Sequence, residues 1–166
     1  VQVREGTATR QGATAEDSIG IVIDLHYLQI AASSFSLATS WSVPAFEEAL
    51  VQACGGGHVS VRLACDSSID NGGSPSKEAF GKSRLHAALR EAGYRLVLSP
   101  NKGSIRAQGA TDVDVACSIF EVAGAFTTQP RASVLALVAG DADFRPALSA
   151  VLTARPPAAD TSRTVP

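Results

Sequence analysis

The stretch LALVAGDADFRPAL, residues 135–148, joins an apolar run to two aspartates and then to a helical pattern. The continuous apolar run within residues 133–140 predicts a strand buried on both faces of a parallel sheet. Asp141 and Asp143 follow that strand directly, and a helix is predicted to begin near Pro146. Two carboxylates thus lie where a buried strand ends and a helix begins.

Strands and helices alternate in the rest of the chain. Further strands are predicted at residues 18–24, 58–65 and 94–99. Helices are predicted over residues 25–53 with a break near SWSVP, over 74–93, and in TDVDVACSIFEVAG, residues 111–124. This order predicts a three-layer, Rossmann-like α/β domain with a central, mainly parallel sheet of four to five strands. Such sheets bind ligands beyond the carboxyl ends of their strands, at a topological switch point.

Two of these helices have distinct sequence patterns. Ser74 and Pro75 supply an N-cap and a first-turn proline to the 74–93 helix, and Gly93 follows its end. In the helix of residues 111–124 one apolar stripe has the period of a helical face that packs on a core. Its members are Val113, Ala116, Cys117, Phe120 and Gly124. The segment DSSIDNGGSPS, residues 66–76, is predicted to be a flexible loop.

The length of 166 residues and the 45% apolar content suit one domain. The predicted domain spans residues 18–153, between flexible tails at residues 1–17 and 154–166. No apolar run approaches the roughly 20 residues that cross a bilayer, so no membrane association is expected. Three widely spaced cysteines without a Cys-x-x-Cys pair favour free thiols in an intracellular reducing compartment, the cytoplasm or an organelle matrix.

Positive charge is concentrated in one segment. The net charge of the chain is -2, but residues 77–106 contain seven basic residues against two acidic ones, a local balance of +5. This segment is either a solvated surface or a phosphate-facing patch. If it faces phosphates, the candidate contacts are Arg84, Lys102 and Arg106, with Arg145 added from the opening stretch.

Acidic residues recur at the predicted strand ends. Asp24 closes the first strand, Asp141 and Asp143 follow the last, and Asp112 and Asp114 open the preceding helix. If the first and last strands are neighbours, these acids meet in one crevice. Clustered carboxylates repel one another unless a hard cation such as Mg²⁺ or Mn²⁺ binds between them. The alternative is that each acid caps a helix, and Thr111 with Asp114 fits a capping box.

Other catalytic chemistries have less support. The three histidines, His26, His58 and His86, lack metal-ligand spacing among themselves and with the cysteines, which argues against a zinc site. The chain has no Gly-x-Ser-x-Gly elbow and no Walker lysine after GGGH, residues 55–58. Tyr27 and Trp41 suit a core better than a base-stacking surface, because the chain has only nine aromatic residues.

The segments IGIVIDLHYL, ATDVDVACSIF and ALVAGDADFRPAL, in this order and at these separations, resemble the NYN domain, which has a PIN-like nuclease fold. The resemblance covers about residues 18–152. It implies metal-dependent cleavage of RNA by aspartates. Asp24 matches the acid of the first strand, Asp112 the acid near the helix start, and Asp141 and Asp143 the Gly-Asp-x-Asp-Phe pair. Asp24, Asp112 and Asp141 would then be the metal ligands, with all four acids catalytic.

The chain also departs from the NYN pattern. Tyr27 replaces an Asn, Ser118 replaces a second helix acid, and Ala139 replaces a Ser, while QGAT stands for a Lys-Gly turn. No fifth strand is evident in TARPPAAD. Four carboxylates suffice for one Mg²⁺ or Mn²⁺ ion, but a second ion loses ligands. Two functions remain open: a metal-dependent endoribonuclease, or a degenerate NYN domain that binds RNA or protein partners in an RNA-processing or ribonucleoprotein assembly.

Overall fold

A computed structural model describes residues 17–34, 42–67, 77–99, 108–127 and 133–154. The strands are β1 (Ser18–Asp24), β2 (His58–Ser67), β3 (Arg95–Ser99) and β4 (Ser133–Val138). The helices are α1 (Leu25–Ser34), α2 (Val43–Ala53), α3 (Lys77–Glu91), α4 (Gln108–Thr127) and α5 (Arg145–Ala154), and a 3-10 turn (Ala142–Phe144) precedes α5. The alternation of strands and helices predicted from the sequence is confirmed.

The four strands of the described ranges form one parallel sheet in the order β3-β2-β1-β4. The chain builds outward from β1 through β2 to β3 and then crosses back to place β4 on the other side of β1. The topological switch point therefore lies between β1 and β4, the two strands that carry Asp24 and precede Asp141. In the register Asp24 lies beside Cys65 of β2.

Helices cover both faces of the sheet, because alternate residues of the buried strands point to opposite sides. Ile19, Ile21 and Ile23 of β1 pack with residues of α1, α2 and α3. Val22 packs on the other face with residues of α4 and α5. The molecule is thus the three-layer α/β fold that the sequence predicts.

Gly20 permits a close approach between β1 and α4. A Cβ atom at this position would lie 2.2 Å from Cγ1 of Val122 and 2.9 Å from the ring of Phe126. Any side chain would therefore push α4 away from the sheet.

The buried face of α4 differs from the predicted one. Val113 is 60% exposed and Phe120 is 50% exposed, whereas Val115, Ile119 and Val122 are fully buried. The helix carries two apolar stripes, and the sheet packs against the one with the β-branched side chains. The helix also begins at Gln108, so Asp112 and Asp114 lie inside it rather than at its N-terminus.

The described part of β2 is longer than predicted. It continues to Ser67, so the first two residues of the predicted loop, Asp66 and Ser67, belong to the strand and pair with Leu98 and Ser99 of β3. The predicted cap of α3 at Ser74 and Pro75 lies outside the described residues. Among the helices described, none has both the length and the apolar character needed to cross a membrane.

Candidate active site at the switch point of the sheet

Asp24 ends β1 and begins the transition to α1. Its side chain is buried, and its Oδ1 accepts a hydrogen bond of 3.2 Å from the backbone N–H of Tyr27. The carboxylate therefore caps α1, as the capping alternative expects. This role fixes the orientation of the side chain at the carboxyl edge of the sheet without excluding a second role for the same group.

Asp141 has a similar local role after β4. Its Oδ1 accepts a 2.9 Å hydrogen bond from the backbone N–H of Asp143, which makes it the N-cap of the 3-10 turn. Phe144 in the same turn is buried in the core on the α4 side of the sheet. The buried ring anchors the turn, so the two exposed carboxylates are held on a fixed support beside β1.

Asp112 of α4 also lies near the switch point between β1 and β4. The residue as a whole is exposed, but its pKa is raised. The largest cause of this rise is partial burial of the carboxyl group. The negative charges of the three other acids, Asp24, Asp141 and Asp143, raise the pKa of Asp112 further. The charge of His26 acts in the opposite direction. Like charges act on a pKa in this way when they are close, so acids from three parts of the chain gather at the switch point.

Asp114, the other acid of α4, points elsewhere. Its carboxylate accepts a short hydrogen bond from Oγ of Ser99 at the end of β3. This contact ties α4 to the edge strand of the sheet. Asp114 thus has a structural partner and is not among the acids that raise the pKa of Asp112.

Whether the four acids can hold an ion depends on how many ligands must bind it directly. In the described ranges no group of three or more His, Cys, Asp or Glu side chains is arranged to bind a metal. Mg²⁺, however, keeps several water ligands and is often bound through only one or two carboxylates. A hydrated ion therefore fits the exposed carboxylates, while the role of each acid as a ligand stays a prediction.

Tyr27 packs against the loop that carries Asp141. A Cβ atom on Gly140 would lie 2.1 Å from Cε2 of Tyr27, so the aromatic ring lies directly against the backbone of Gly140. The tyrosine is half-buried. At the position where NYN domains have an Asn, this chain thus places an aromatic ring between the start of α1 and the end of β4.

Ser118 is buried on α4, where the NYN pattern has a second helix acid. Its Oγ lies 3.3 Å from Sγ of Cys65 on β2. Burial raises the pKa of Cys65 to about 11, and the hydrogen bond with Ser118 opposes this rise. The pair is a neutral contact between helix and sheet, so this position offers no carboxylate to a second ion.

A second polar group at the carboxyl edge was not predicted from the sequence. Asp66 at the end of β2 is buried and binds two residues of α3: its Oδ1 lies 2.8 Å from Nζ of Lys82, and its Oδ2 lies 2.8 Å from Nε2 of His86. Lys82 and His86 are four residues apart and share one helix face. The spacing of Lys82 and His86, together with an acid near the end of β2, is the sequence pattern from which this network could have been predicted.

The predicted phosphate contacts are placed only in part. Arg84 and Arg145 are exposed, while Lys102 and Arg106 lie outside the described residues. Two other basic residues of the 77–106 segment have acidic partners, because Lys82 binds Asp66 and Arg95 binds Glu121. Part of the positive charge in this segment is therefore paired with acidic residues of the domain itself.

Comparison with known proteins agrees with this geometry. The family model of the NYN domain matches residues 18–155, which is most of the chain. No curated protein and no solved structure matches the chain. The matched span contains all the strands and helices of the described residues and all four acids at the switch point. The chain belongs to the NYN domain family of the PIN-like nuclease superfamily.

Proposed function

We propose that this NYN domain is an endoribonuclease that depends on a single Mg²⁺ or Mn²⁺ ion. One observation carries the proposal: acids from β1, α4 and the turn after β4 gather at the switch point, and their charges raise the pKa of Asp112. A group of like charges that has no ion pair among the described residues is stabilised by binding a hard cation.

In this proposal each acid has a role. Asp24, Asp112 and Asp141 hold the ion, and Asp143 binds it directly or orients a water molecule. The backbone N–H groups of Tyr27 and Asp143 keep two of these carboxylates in fixed orientations. When bound, such an ion supplies a Lewis acid that lowers the pKa of a water molecule and stabilises the charge of a phosphodiester under attack.

RNA is the proposed substrate, since NYN domains are generally associated with RNA. Arg145 is a proposed phosphate contact, which its exposure at the start of α5, two residues after Asp143, supports. Arg84 on α3 is the second exposed candidate, and Lys102 and Arg106 complete the proposed set. Charge-assisted hydrogen bonds from arginine to phosphate would orient the RNA at the carboxylates.

A second function is supported by Tyr27 and Ser118. The ring of Tyr27 lies against Gly140 beside Asp141, and Ser118 is buried against Cys65. Both positions are altered relative to the NYN pattern. A domain with these changes could retain the fold but lack cleavage, and serve as an RNA-binding or protein-interaction part of an RNA-processing or ribonucleoprotein assembly. The proposed location is an intracellular reducing compartment, the cytoplasm or an organelle matrix, which the three free cysteines support.

The test compares the wild type with Asp141→Asn on labelled single-stranded RNA in Mn²⁺, in Mg²⁺ and with excess EDTA. Asn is also a good N-cap, so this substitution removes the charge and keeps the turn. We expect slow cleavage by the wild type, none in EDTA and none by Asp141→Asn. Glu48→Gln, which removes an exposed acid of α2, is the matched control and should cleave like the wild type.

The two functions give different results in this experiment. Matching thermal melts must first show that both variants are folded. Absence of metal-dependent cleavage by the wild type, together with RNA binding that Asp141→Asn leaves unchanged, would reject the nuclease and support the degenerate domain. Cleavage that persists in Asp141→Asn would instead point to a contaminating nuclease.

A further inference from the structure

We propose that Lys82 and Ser67 form a second phosphate-binding site, which holds the RNA strand beside the four acids at the switch point. The inference rests on RNA as the substrate of the domain. It concerns the polar network at the end of β2, which consists of Asp66, Ser67, Lys82 and His86. None of these residues has a role in the proposed cleavage.

The network is built around a buried acid. Asp66 and His86 are each 2% exposed. Besides the contacts with Lys82 and His86, Oδ1 of Asp66 accepts a hydrogen bond of 2.7 Å from the backbone N–H of Ser67. Burial of a charged side chain is costly unless its hydrogen-bonding capacity is satisfied, and three donors satisfy Asp66. The network therefore holds Lys82 in one position.

Lys82 and Ser67 still have donors to offer. Nζ of Lys82 binds Asp66 and also donates to Oγ of Ser67 at 2.8 Å, which accounts for two of its three N–H groups. Because Oγ of Ser67 accepts this bond, its own O–H can donate to a further group. The side chain of Lys82 is 17% exposed, against 3% for Asp66. The outer end of the network thus presents one N–H and one O–H.

Binding of an anion fits this arrangement better than nucleophilic catalysis does. A serine nucleophile paired with a lysine needs the lysine as a neutral base. Here Nζ of Lys82 donates to a buried carboxylate and to a hydroxyl group, so its geometry is that of a donor and not of a base. A fixed ammonium group beside a fixed hydroxyl group is a suitable pair of donors for a phosphate oxygen.

The position of Ser67 relates this site to the four acids. Ser67 lies two residues beyond Cys65, which is the neighbour of Asp24 in the register of β1 and β2. Ordinary strand spacing then places the Cα atoms of Ser67 and Asp24 about 8 Å apart. Both residues lie at the carboxyl edge of the sheet, where the side chain of Ser67 contacts Lys82 of α3. A strand bound at the acids would place a neighbouring phosphate near Ser67.

The experiment measures binding of labelled single-stranded RNA at several salt concentrations, in EDTA so that no cleavage occurs. The variants are Ser67→Ala and Lys82→Met. We expect Ser67→Ala to weaken binding a few fold with an unchanged thermal melt. We expect Lys82→Met to weaken it about tenfold and to lower the slope of log K against log salt by about 0.7, the value for one phosphate contact of a single strand.

Arg90→Met is the matched control, because it removes the same charge from an exposed residue in the last turn of α3, at the opposite edge of the sheet. The inference would be overturned if folded Ser67→Ala binds RNA with the affinity of the wild type and Lys82→Met keeps the salt slope of the wild type. The network would then only attach α3 to β2. No binding of RNA by the wild type would instead reject the proposed function on which the inference rests.

Discussion

One single acid and one group of four acids lie at the carboxyl edge of the same sheet, and they differ in how their charges are balanced. Asp66 is buried at the end of β2 and binds Lys82, His86 and a backbone N–H. The acids at the switch point receive backbone N–H groups at Asp24 and Asp141, but in the described ranges no member of this group forms an ion pair.

This difference in charge balance bears on whether an acid serves the fold or is available to a ligand. A carboxylate that contributes to folding is satisfied by the protein itself, as Asp66 is. At the switch point the neighbouring acids raise the pKa of Asp112, and a bound cation would relieve this repulsion. Such perturbed groups are enriched at functional sites. The comparison therefore supports the proposed ion site at the switch point, and it gives Asp66 a role in holding the end of β2 and α3 together.

The largest loss of stability is expected from a substitution of Asp66, whose charge is fully balanced by its partners. Asp66→Ala would leave Lys82 and His86 without their buried partner, and breaking a buried ion pair from one side costs about 3–5 kcal/mol. The free energy of unfolding from urea titration should fall by this amount. A loss below about 1 kcal/mol would show that the network contributes little to the fold.

An exposed ion pair provides the matched control for this measurement. Arg95 and Glu121 form an ion pair in which both side chains are more than half exposed. Glu121→Ala should change the free energy of unfolding by about 0–1 kcal/mol, as is usual for such pairs. The difference between the two variants measures what burial adds to an ion pair in this domain.

The sheet and its switch point could be predicted from the sequence because both depend on patterns along the chain. The continuous apolar runs of β1 and β4 predict strands in a parallel sheet covered on both faces. An acid after each of these strands then predicts a shared crevice, once β1 and β4 are neighbours. The structure makes them neighbours. Local pattern and simple topology were sufficient for this part of the site.

Other features depend on contacts between distant segments and could not be predicted in this way. The sequence pattern predicts that Asp66 begins a polar loop, but pairing with Leu98 of β3 extends β2 through it. Val113 and Phe120 have the period of a buried helix face, yet a second stripe of α4 packs on the sheet. In each case tertiary packing decides between two local patterns that the sequence allows.

The contact between Tyr27 and Gly140 also joins distant segments, and it allows a second prediction. Gly140→Ala would place a methyl group against the ring of Tyr27, and such overpacking costs about 1–3 kcal/mol. The variant should unfold at lower urea concentration and should also disturb the site, because Asp141 follows directly. Adding Tyr27→Asn should remove most of this cost, which a double-mutant cycle measures.

Gly124→Ala is the control for this cycle. Gly124 lies in α4 with open space around it, so an added methyl group meets nothing within 4 Å. The change should stabilise the domain by about 0.5–1 kcal/mol, the usual gain for alanine over glycine in a helix. A single Gly140→Ala variant as stable as the wild type would contradict the close contact with Tyr27. Cleavage that increases in Tyr27→Asn alone would show that the ring limits the nuclease.

The smallest effect is expected from the charge of Asp112. Its pKa in the folded protein lies above the ordinary value of 3.8, because partial burial and the neighbouring acids disfavour the charged form. Between the ordinary and the folded pKa the folded protein holds more protons than the unfolded chain, so its stability falls as pH rises. Asp112→Asn has no charge at this position, so it avoids this loss of stability at higher pH. The variant should melt at a higher temperature than the wild type at neutral pH, and the difference should vanish as pH falls towards the ordinary value.

Salt and Mn²⁺ separate this explanation from a general effect of net charge. The difference in melting temperature should shrink with added salt, which screens exposed charges. Mn²⁺ should raise the melting temperature of the wild type more than that of Asp112→Asn, because a ligand of the folded state stabilises it by mass action. Glu48→Gln removes one charge from an acid outside the group. An equal gain in that variant would assign the effect to net charge, whereas a gain confined to Asp112→Asn would assign it to repulsion among the acids at the switch point.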